Sequence, residues 1–313
     1  MAIPIATLTL NPALDVTYDV PSLEPDRKNH ALHVSHHPGG NGINVGRALR
    51  VLGVAASNVG ILAGDVGHMV AGLCEQEMEN PFFLMAAGQT RINCTCIDIS
   101  HHLQYEVTGI GPEVTPQLLH ETVALFLEKA RDGIGVLTGS IPPGVPDTIY
   151  AELTQLLRAA GAKAVVDAHG ALLQRALDKH PFLIKPNRYE LELLCGRKLD
   201  TIQDVAREAM GIRQRGVEMV CVSLGGEGAL LAAASGVWHG KAVPVPVRCT
   251  VGAGDAMVAG LVAAVATHQD AAQALRLGLA MGAGTAAKPG TGLATREDLD
   301  TLLPRTEIME MTW

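Results

Sequence analysis

Cys249-Thr250-Val251-Gly252-Ala253-Gly254-Asp255-Ala256-Met257 is the most informative run of this chain, because it predicts a tight glycine turn between a strand and a helix. Before it, the alternating apolar run 242–247 favours a strand that is interrupted by prolines. After it, residues 256–267 are almost wholly small and apolar, which indicates a buried helix. We therefore expect Asp255 at the start of that helix.

The glycines of this turn predict an anion-binding loop. Gly252 and Gly254 leave their backbone N–H groups open to a ligand, because no Cβ stands in the way. A helix N-terminus also carries partial positive charge and unpaired N–H donors. The carboxylate of Asp255 can accept the proton of a substrate hydroxyl while the N–H groups steady a phosphoryl group. The alternative is that Asp255 only caps the helix, since Asp is a favoured N-cap residue.

The composition suits one α/β protein with an aliphatic core. Of the 313 residues, 48% are apolar and only 3% are aromatic, which is typical of parallel sheet packed under helices. The 34 glycines indicate many tight turns and close approaches of the backbone to a ligand. The net charge is −8, with acidic and basic residues interspersed, which argues against a nucleic-acid surface.

The cysteines and the N-terminal sequence indicate a cytoplasmic protein. Six cysteines are scattered without CxxC spacing, so we expect reduced thiols and neither disulfides nor a zinc site. The first ten residues lack a basic region and a cleavage site, and so do not resemble a signal peptide. The longest apolar run, residues 257–266, is too short to cross a bilayer, and we expect no membrane partner.

Strands alternate with helices along most of the chain, and we expect one domain over residues 1–313. This pattern predicts a mostly parallel, doubly wound α/β sheet flanked by helices. Such sheets bind ligands at the carboxyl ends of their strands, where Asp15 follows the first strand and suits the hydroxyls of a sugar. The alternative for Asp15 is a capping role in its turn. Two segments, about 12–37 and 89–108, are β-rich and polar, and we expect them to form a small separate sheet.

A second glycine-rich loop, Pro38-Gly39-Gly40-Asn41-Gly42, precedes an amphipathic helix. Its spacing is not that of a dinucleotide fingerprint, and the sequence contains no Walker A motif. The glycines let the backbone approach a ligand, and the amide of Asn44 can both donate and accept, which fits a polyol. Arg91 is the cation of the second β-rich segment, where it either clamps a phosphate or lies on the surface.

Together these motifs resemble the phosphofructokinase B family of ribokinase-like sugar kinases. The resemblance runs from Thr7 to about Leu293. Four motifs carry it in the family's order and spacing: Gly39 to Val45, Lys185-Pro186-Asn187-x-x-Glu190, Ser223-Leu224-Gly225-x-x-Gly228 and Thr250 to Asp255. Two further runs, Thr9 to Asp15 and Thr138 to Gly144, resemble the branch that acts on phosphorylated ketohexoses.

The resemblance implies a role for each candidate residue. Asp255 would be the base, and the N–H groups of Gly252, Ala253 and Gly254 would hold the γ-phosphoryl group of ATP. The sugar hydroxyls and the sugar phosphate would be bound by Asp15, Lys28, Gly39, Gly40, Asn44, Arg91 and Ser140. The nucleotide would be bound by Lys185, Asn187, Ser223, Gly225, Gly228, Thr250 and Gly284. Mg²⁺ would be held, mainly through water, by Asn187 and Glu190.

The implied activity is an ATP-dependent phosphofructokinase that acts on the 1-hydroxyl of fructose 6-phosphate. Relatives that act on fructose 1-phosphate or tagatose 6-phosphate usually carry Lys where this chain has Asn41, which favours fructose 6-phosphate, although both alternatives stay open. His30 stands where a second basic residue can occur. A non-catalytic sugar-phosphate sensor is a remaining alternative, which the intact Asp255 and its glycines argue against.

The resemblance also bears on assembly and on ions. It implies that the two β-rich segments form a lid, and that lids of two subunits pair into a homodimer. K⁺ is a further cofactor that the resemblance allows, although no ligands for it can be assigned from the sequence.

Overall fold

The computed structural model describes residues 3–312. The first two residues of the segment compared with a signal peptide lie outside the described residues. The strands are β1 (Ile5–Thr9), β2 (Ala13–Val20), β3 (His33–Gly39), β4 (Ser57–Ala63), β5 (Pro81–Ala86), β6 (Arg91–Asp98), β7 (Leu103–Val107), β8 (Ile134–Thr138), β9 (Lys163–Asp167), β10 (Leu183–Ile184), β11 (Met219–Ser223), β12 (Ala229–Ala233), β13 (Gly236–Gly240) and β14 (Ile308–Glu310). The helices are α1 (Asn41–Val51), α2 (Gly64–Glu77), α3 (Pro116–Lys129), α4 (Ile149–Ala159), α5 (Gly170–Leu177), α6 (Arg188–Cys195), α7 (Ile202–Gln214), α8 (Ala253–Ala266), α9 (Ala271–Ala286) and α10 (Arg296–Leu302).

The main sheet contains 10 strands in the order β14-β13-β12-β11-β10-β9-β8-β1-β4-β5. Every neighbouring pair from β5 to β11 is parallel. The remaining strands, β12 to β14, extend the sheet in antiparallel fashion. The prediction of a mostly parallel sheet is confirmed.

Helices cover both faces of the main sheet, as expected for a doubly wound fold. On one face, α3 and α4 bury Phe126, Tyr150 and Leu157 among the aliphatic side chains of the strands. On the other face, α8 and α9 bury side chains such as Val258 and Leu275. Burying a side chain of this size contributes about 1.5–3 kcal/mol, and the stability of the sheet therefore rests on both helical layers.

A second sheet of 4 strands has the order β3-β2-β6-β7. We call it the small sheet. Its central pair, β2 and β6, is parallel, and each outer strand is antiparallel to its neighbour. The two segments that form it are those expected from the sequence, so the small separate sheet is confirmed, whereas its role as a lid stays a prediction.

Parts of the chain differ from the sequence-based prediction. The run 242–247 forms no strand, because Pro244 and Pro246 lack the N–H groups that pair a strand with its neighbour. The edge strands β5 and β14, and strand β13 next to β14, were not predicted, since they show little alternation of polar and apolar residues. Helix α2 begins at Gly64 rather than near His68.

The six cysteines Cys74, Cys94, Cys96, Cys195, Cys221 and Cys249 are all free thiols, as expected. Within residues 3–312, the helices are all too short or too polar to cross a membrane.

Candidate active site

A cavity of about 1130 Å³ opens at the carboxyl ends of the parallel strands. Ser140 lies just after β8, Asp167 ends β9, Lys185 follows β10 and Ser223 ends β11, and all four line the cavity. Parallel strands bring their carboxyl ends to one edge of the sheet, which explains why residues far apart in sequence meet there.

A continuous series of contacts crosses this cavity. Arg91 of the small sheet contacts Asn11, which contacts Ser140. Asn41, which packs on Gly139 beside Ser140, donates to Asp255. Beyond Asp255, Lys185 lies against Gly254, and Asn187 pairs with Ser223 through a β-bridge. The cavity therefore has one end formed with the small sheet and another formed by β10, β11 and their loops. Asp255 lies between these two ends.

The carboxylate of Asp255 is held by two amides of helix α1. Asn41 Nδ2 donates to Oδ1 over 2.8 Å, and Asn44 Nδ2 donates to Oδ2 over 2.9 Å. The N-cap of α8 is Gly252, with no side-chain cap bond, and Asp255 lies in the first turn. The alternative that Asp255 serves only as a helix cap is therefore wrong.

Burial sets the ionisation of Asp255. It raises the pKa of Asp255 to about 7, and the neighbouring carboxylate of Asp167 acts in the same direction. The hydrogen bonds from Asn44 and Asn41 and the charge of Lys185 oppose this shift. A carboxylate that ionises near neutral pH can accept a proton from a hydroxyl more readily than an ordinary one.

The glycine turn before α8 has the conformation of an anion site. Gly252 has φ 78°, in the left-handed region that favours glycine. The N–H of Ala253 donates to the carbonyl of Thr250 over 3.2 Å, so it is already used within the turn. The N–H groups of Gly252 and Gly254 have no hydrogen-bond partner within residues 3–312. Of the three predicted donors, two are therefore free for an anion.

Asp167 and Lys185 form an ion pair that the sequence analysis did not single out. Lys185 Nζ lies 3.2 Å from Asp167 Oδ1. Burial opposes the charge of Lys185, but Asp167 and Asp255, both facing it, raise its pKa overall. The ammonium is therefore charged at neutral pH, and it lies near the Cα of Gly254, beside the free N–H groups.

Asp15 lies beneath the small-sheet end of the cavity. It is buried, Asn93 Nδ2 donates to its Oδ1 over 2.8 Å, and burial raises its pKa. A Cβ at Gly39 would overlap the carboxylate of Asp15. At Gly40, where φ is +115°, a Cβ would lie 2.7 Å from the methyl carbon of Thr9. Gly39 therefore allows the chain to pack against Asp15, and Gly40 allows it to pack against Thr9 and Pro12.

Arg91, Asn11 and Ser140 form the polar wall at this end. Arg91 Nη2 donates to the Asn11 carbonyl over 2.9 Å, and Asn11 Nδ2 donates to Ser140 Oγ over 3.1 Å. Arg91 Nε and Asn11 Oδ1 are buried without a hydrogen-bond partner among the described residues. Lys28, by contrast, is exposed in the loop between β2 and β3 and does not line the cavity.

The opposite end of the cavity contains most of the predicted nucleotide residues. Ser223, Gly225, Gly228 and Thr250 line it. Its remaining wall is apolar and small: Ala242, Val243, Val245, Val247, Leu279, Gly282, Ala283 and Ala286.

Gly284 does not reach this cavity. A Cβ there would lie 2.8 Å from that of Ala294, so this glycine faces the segment before α10. Two other residues of α9, Gly282 and Ala283, line the cavity instead. The helical period of α9 explains the difference, since residues two positions apart face different sides of a helix.

Asn187 and Glu190 form a capping box at the start of α6. Asn187 Oδ1 accepts from the N–H of Glu190, and Glu190 Oε2 accepts from the N–H of Asn187. Both residues also line the cavity. Between residues 3 and 312, no cluster of three or more His, Cys, Asp or Glu side chains is arranged to hold a metal ion. This donor set fits Mg²⁺ that is bound chiefly by nucleotide phosphates and water, with Glu190 Oε1 as a nearby acceptor.

Residues 8–298 match the family described as pfkB family carbohydrate kinase. The chain is 30% identical over 307 residues to the 1-phosphofructokinase of Bacillus subtilis, covering 98% of this chain and 100% of the relative. It is 33% identical over 308 residues to the 1-phosphofructokinase of Escherichia coli, covering 97% of each chain.

Among solved structures, phosphofructokinase-2 of Escherichia coli in complex with substrates and products superposes with a TM-score of 0.93 at 30% identity, covering 97% of this chain and 99% of the other. The same enzyme has been solved with potassium, with fructose-6-phosphate and as a tetrameric inhibited form.

Proposed function

Since the chain belongs to the pfkB family of carbohydrate kinases, and is thus an ATP-dependent sugar kinase, we propose that its acceptor is fructose 6-phosphate. The products would be fructose 1,6-bisphosphate and ADP. The observation that carries the proposed phosphoryl transfer is the carboxylate of Asp255, which lies in the cavity beside the free N–H groups of Gly252 and Gly254.

Asp255 takes the proton of the attacking hydroxyl. The amides of Asn41 and Asn44 fix its carboxylate, so that a lone pair stays directed into the cavity when the sugar binds. As the oxygen of the sugar approaches the γ-phosphorus, its proton passes to Asp255, and the oxygen becomes a better nucleophile.

The charge of the transferred phosphoryl group is stabilised at the start of α8. The N–H groups of Gly252 and Gly254 and the helix N-terminus supply fixed positive dipoles. Lys185 supplies a full positive charge beside them. Asp167 holds this lysine in place, and the arrangement exists before the substrates bind, so no reorganisation is needed during transfer.

The nucleotide occupies the end of the cavity formed by β10, β11 and the turn after β11. The small apolar side chains Val243, Val245 and Ala283 fit the flat face of a base. Asn187 and Glu190 would hold Mg²⁺, mainly through water, and the ion would supply positive charge to the phosphates during transfer. We also propose K⁺ as an activating ion, which agrees with the potassium complex of the related Escherichia coli phosphofructokinase-2.

The neutral side chain of Asn41 supports fructose 6-phosphate, because the family resemblance associates Lys at this position with fructose 1-phosphate or tagatose 6-phosphate. Arg91, Asn11 and Ser140 would hold the 6-phosphate, with Asp15 and Asn93 near the ring hydroxyls. In the furanose form of fructose, carbons 1 and 6 are attached on opposite sides of the ring. A site of the same geometry can therefore accommodate fructose 6-phosphate or fructose 1-phosphate.

Fructose 1-phosphate is the second candidate acceptor, because the two closely related proteins above are named 1-phosphofructokinase. The test is ADP formation with ATP, Mg²⁺ and each of three sugars: fructose 6-phosphate, fructose 1-phosphate and tagatose 6-phosphate. We expect the highest kcat/KM for fructose 6-phosphate. A higher value for fructose 1-phosphate would assign the second candidate, and ATP binding without sugar-dependent ADP formation would favour the sensor.

The small sheet supports a homodimer. One of its faces exposes apolar side chains, among them Ile92, Tyr105 and Val107. A second copy of this face would remove them from water. We also propose that the enzyme works in the cytoplasm, where ATP is available and free thiols persist.

A further inference from the structure

The amide of Asn44 has two ends, and each has a different partner. Nδ2 donates to Asp255 Oδ2 over 2.9 Å, and Oδ1 accepts from Arg47 Nη1 over 3.2 Å. If the amide turned over, its oxygen would face the carboxylate and its NH₂ group would face the guanidinium. An arginine can only donate hydrogen bonds, so Arg47 permits one orientation of the amide and excludes the other.

Arg47 is itself held rigidly. It is 5% exposed. Nε donates to Glu77 Oε2 over 2.7 Å, and Nη2 pairs with the same carboxylate oxygen at the end of α2. Nη1 donates in addition to the carbonyl of Pro38 over 3.3 Å. A planar guanidinium engaged on several edges has little freedom to rotate.

We propose that Arg47 is a positioning residue of the reaction, which keeps the N–H of Asn44 directed at the carboxylate of Asp255. The residues Asn41, Asn44 and Arg47 follow one another at intervals of three along α1, and Glu77 anchors the last of them. The catalytic consequence rests on the proposed function of Asp255, whereas the orientation of the amide does not.

A purely structural role for Arg47, joining α1 to α2, requires only its bonds to Glu77. Nη1 faces Asn44 and Pro38 rather than Glu77. Pro38 is the residue before Gly39 and Gly40 in the glycine-rich loop that precedes α1. The position of Nη1 therefore connects the helix pair to the amide that holds the base.

Replacement of Arg47 should raise the pKa of Asp255. Two charged groups face Asp255, Asp167 at the end of β9 and Lys185 after β10, and the neutral Asn41 and Asn44 face it from α1. None of these four is altered when Arg47 is replaced. A hydrogen bond to the charged form lowers a pKa, so a freely rotating Asn44 lets Asp255 keep its proton to higher pH.

The experiment is a direct titration of Asp255 in the ligand-free protein by ¹³C NMR of labelled aspartate carboxylates. The resonance that disappears in Asp255→Asn identifies the group. We expect its midpoint to rise by about one pH unit in Arg47→Met, since hydrogen bonds to charged groups are among the stronger ones. The matched control is Arg50→Met, because Arg50 lies one turn further along α1 and donates to the Gln76 carbonyl of α2 without contacting Asn44.

Arg47→Lys separates orientation from charge. A lysine keeps the positive charge but lacks the fork that contacts Glu77 and Asn44 together, so we expect its midpoint to rise as in Arg47→Met. In an Asn44→Ala background, Arg47→Met should shift the midpoint no further, because the amide through which it acts is gone. If Arg47→Met fails to fold, Glu77→Gln loosens the same fork and should raise the midpoint.

An unchanged midpoint in Arg47→Met, or a rise that Arg47→Lys does not share, overturns the proposal. The same is true if the shift persists without Asn44. These outcomes are independent of activity. Absence of sugar-dependent turnover in the wild type would instead overturn the proposed function, while a raised midpoint would still establish the positioning of Asn44.

Discussion

Asp255 is a buried carboxylate that also lines the cavity. Its pKa of about 7 results first from burial and then from the neighbouring charge of Asp167. The hydrogen bonds from Asn41 and Asn44 prevent the pKa from rising further. A carboxyl group with this pKa is about half ionised at neutral pH. The activity of the enzyme should therefore change steeply at pH values just below the pKa.

The pH profile of kcat/KM should show an acid limb near pH 7, with activity falling about tenfold per pH unit below it. Asp167→Asn removes a negative charge that raises the pKa of Asp255 and frees Lys185 to face it. Both changes lower the pKa, so we expect the limb to move to lower pH. The sugar phosphate titrates near pH 6 in either case, and comparison of the two proteins removes its contribution. A limb that stays in place in Asp167→Asn would contradict this electrostatic account.

At the scale of elements, the site is assembled where helices begin and parallel strands end. The sequence predicts that Gly252, Gly254, Asp255 and Lys185 lie together at one site, and all four line the cavity, because each belongs to a local motif whose conformation is set by its neighbours. Asp167, Asn11, Asn93 and Arg47 were not predicted. Asn11 lies in the run Thr9 to Asp15, but no local pattern marks its side chain or the other three as site residues. They reach the site through sheet order and through the packing of α1 on α2 and α8.

The same distinction explains where the predicted roles and the geometry differ. Gly284 belongs to a recognisable stretch of sequence, but its direction depends on how α9 packs against the segment around Ala294. Lys28 lies in a long exposed loop, whose path no periodicity determines. Pairing partners at the edges of the main sheet, such as β14 with β13, are likewise set by tertiary contacts.

The turn before α8 can be tested with Gly252→Ala. Its φ of +78° is costly for alanine, while the nearest atom to a Cβ there would be 3.4 Å away, so the protein should fold. We expect a loss of about 1–2 kcal/mol of stability and a fall in kcat of at least tenfold, because the free N–H groups move.

Gly161→Ala is the matched control for this change. Its φ is +75°, with no atom within 4 Å of a Cβ, and it lies in the turn between α4 and β9. It should lose similar stability in thermal unfolding and keep its kcat. Equal loss of kcat in both variants would mean that backbone strain, rather than the anion site, explains the effect.

At the scale of the whole molecule, the small sheet lies at the side of the cavity and carries Arg91 and Asn93 into it. Its other face exposes Ile92, Tyr105 and Val107 at 47%, 46% and 68%. Movement of this sheet would open and close one end of the cavity, and a partner copy on its exposed face would restrict that movement. The proposed dimer and the proposed lid therefore depend on the same four strands.

Analytical ultracentrifugation should show a dimer at micromolar concentration that Tyr105→Asp with Val107→Asp converts to a monomer. The reason is that charges at the centre of an apolar interface remain unpaired and desolvated. Leu156→Asp, which alters an apolar side chain of similar exposure on α4, should leave the dimer intact. A wild-type monomer, or a dimer that survives the double substitution, would exclude the small sheet as the interface.

The central claim is that the carboxylate of Asp255 removes the proton from the sugar hydroxyl. The most direct test is kcat of Asp255→Asn with saturating ATP, Mg²⁺ and the preferred sugar phosphate, together with binding of both ligands by calorimetry. We predict a fall in kcat of at least about 10²-fold, as is typical for loss of a general base, with both ligands still bound. A variant that retains more than about a tenth of the wild-type kcat would contradict the role of Asp255 as the base.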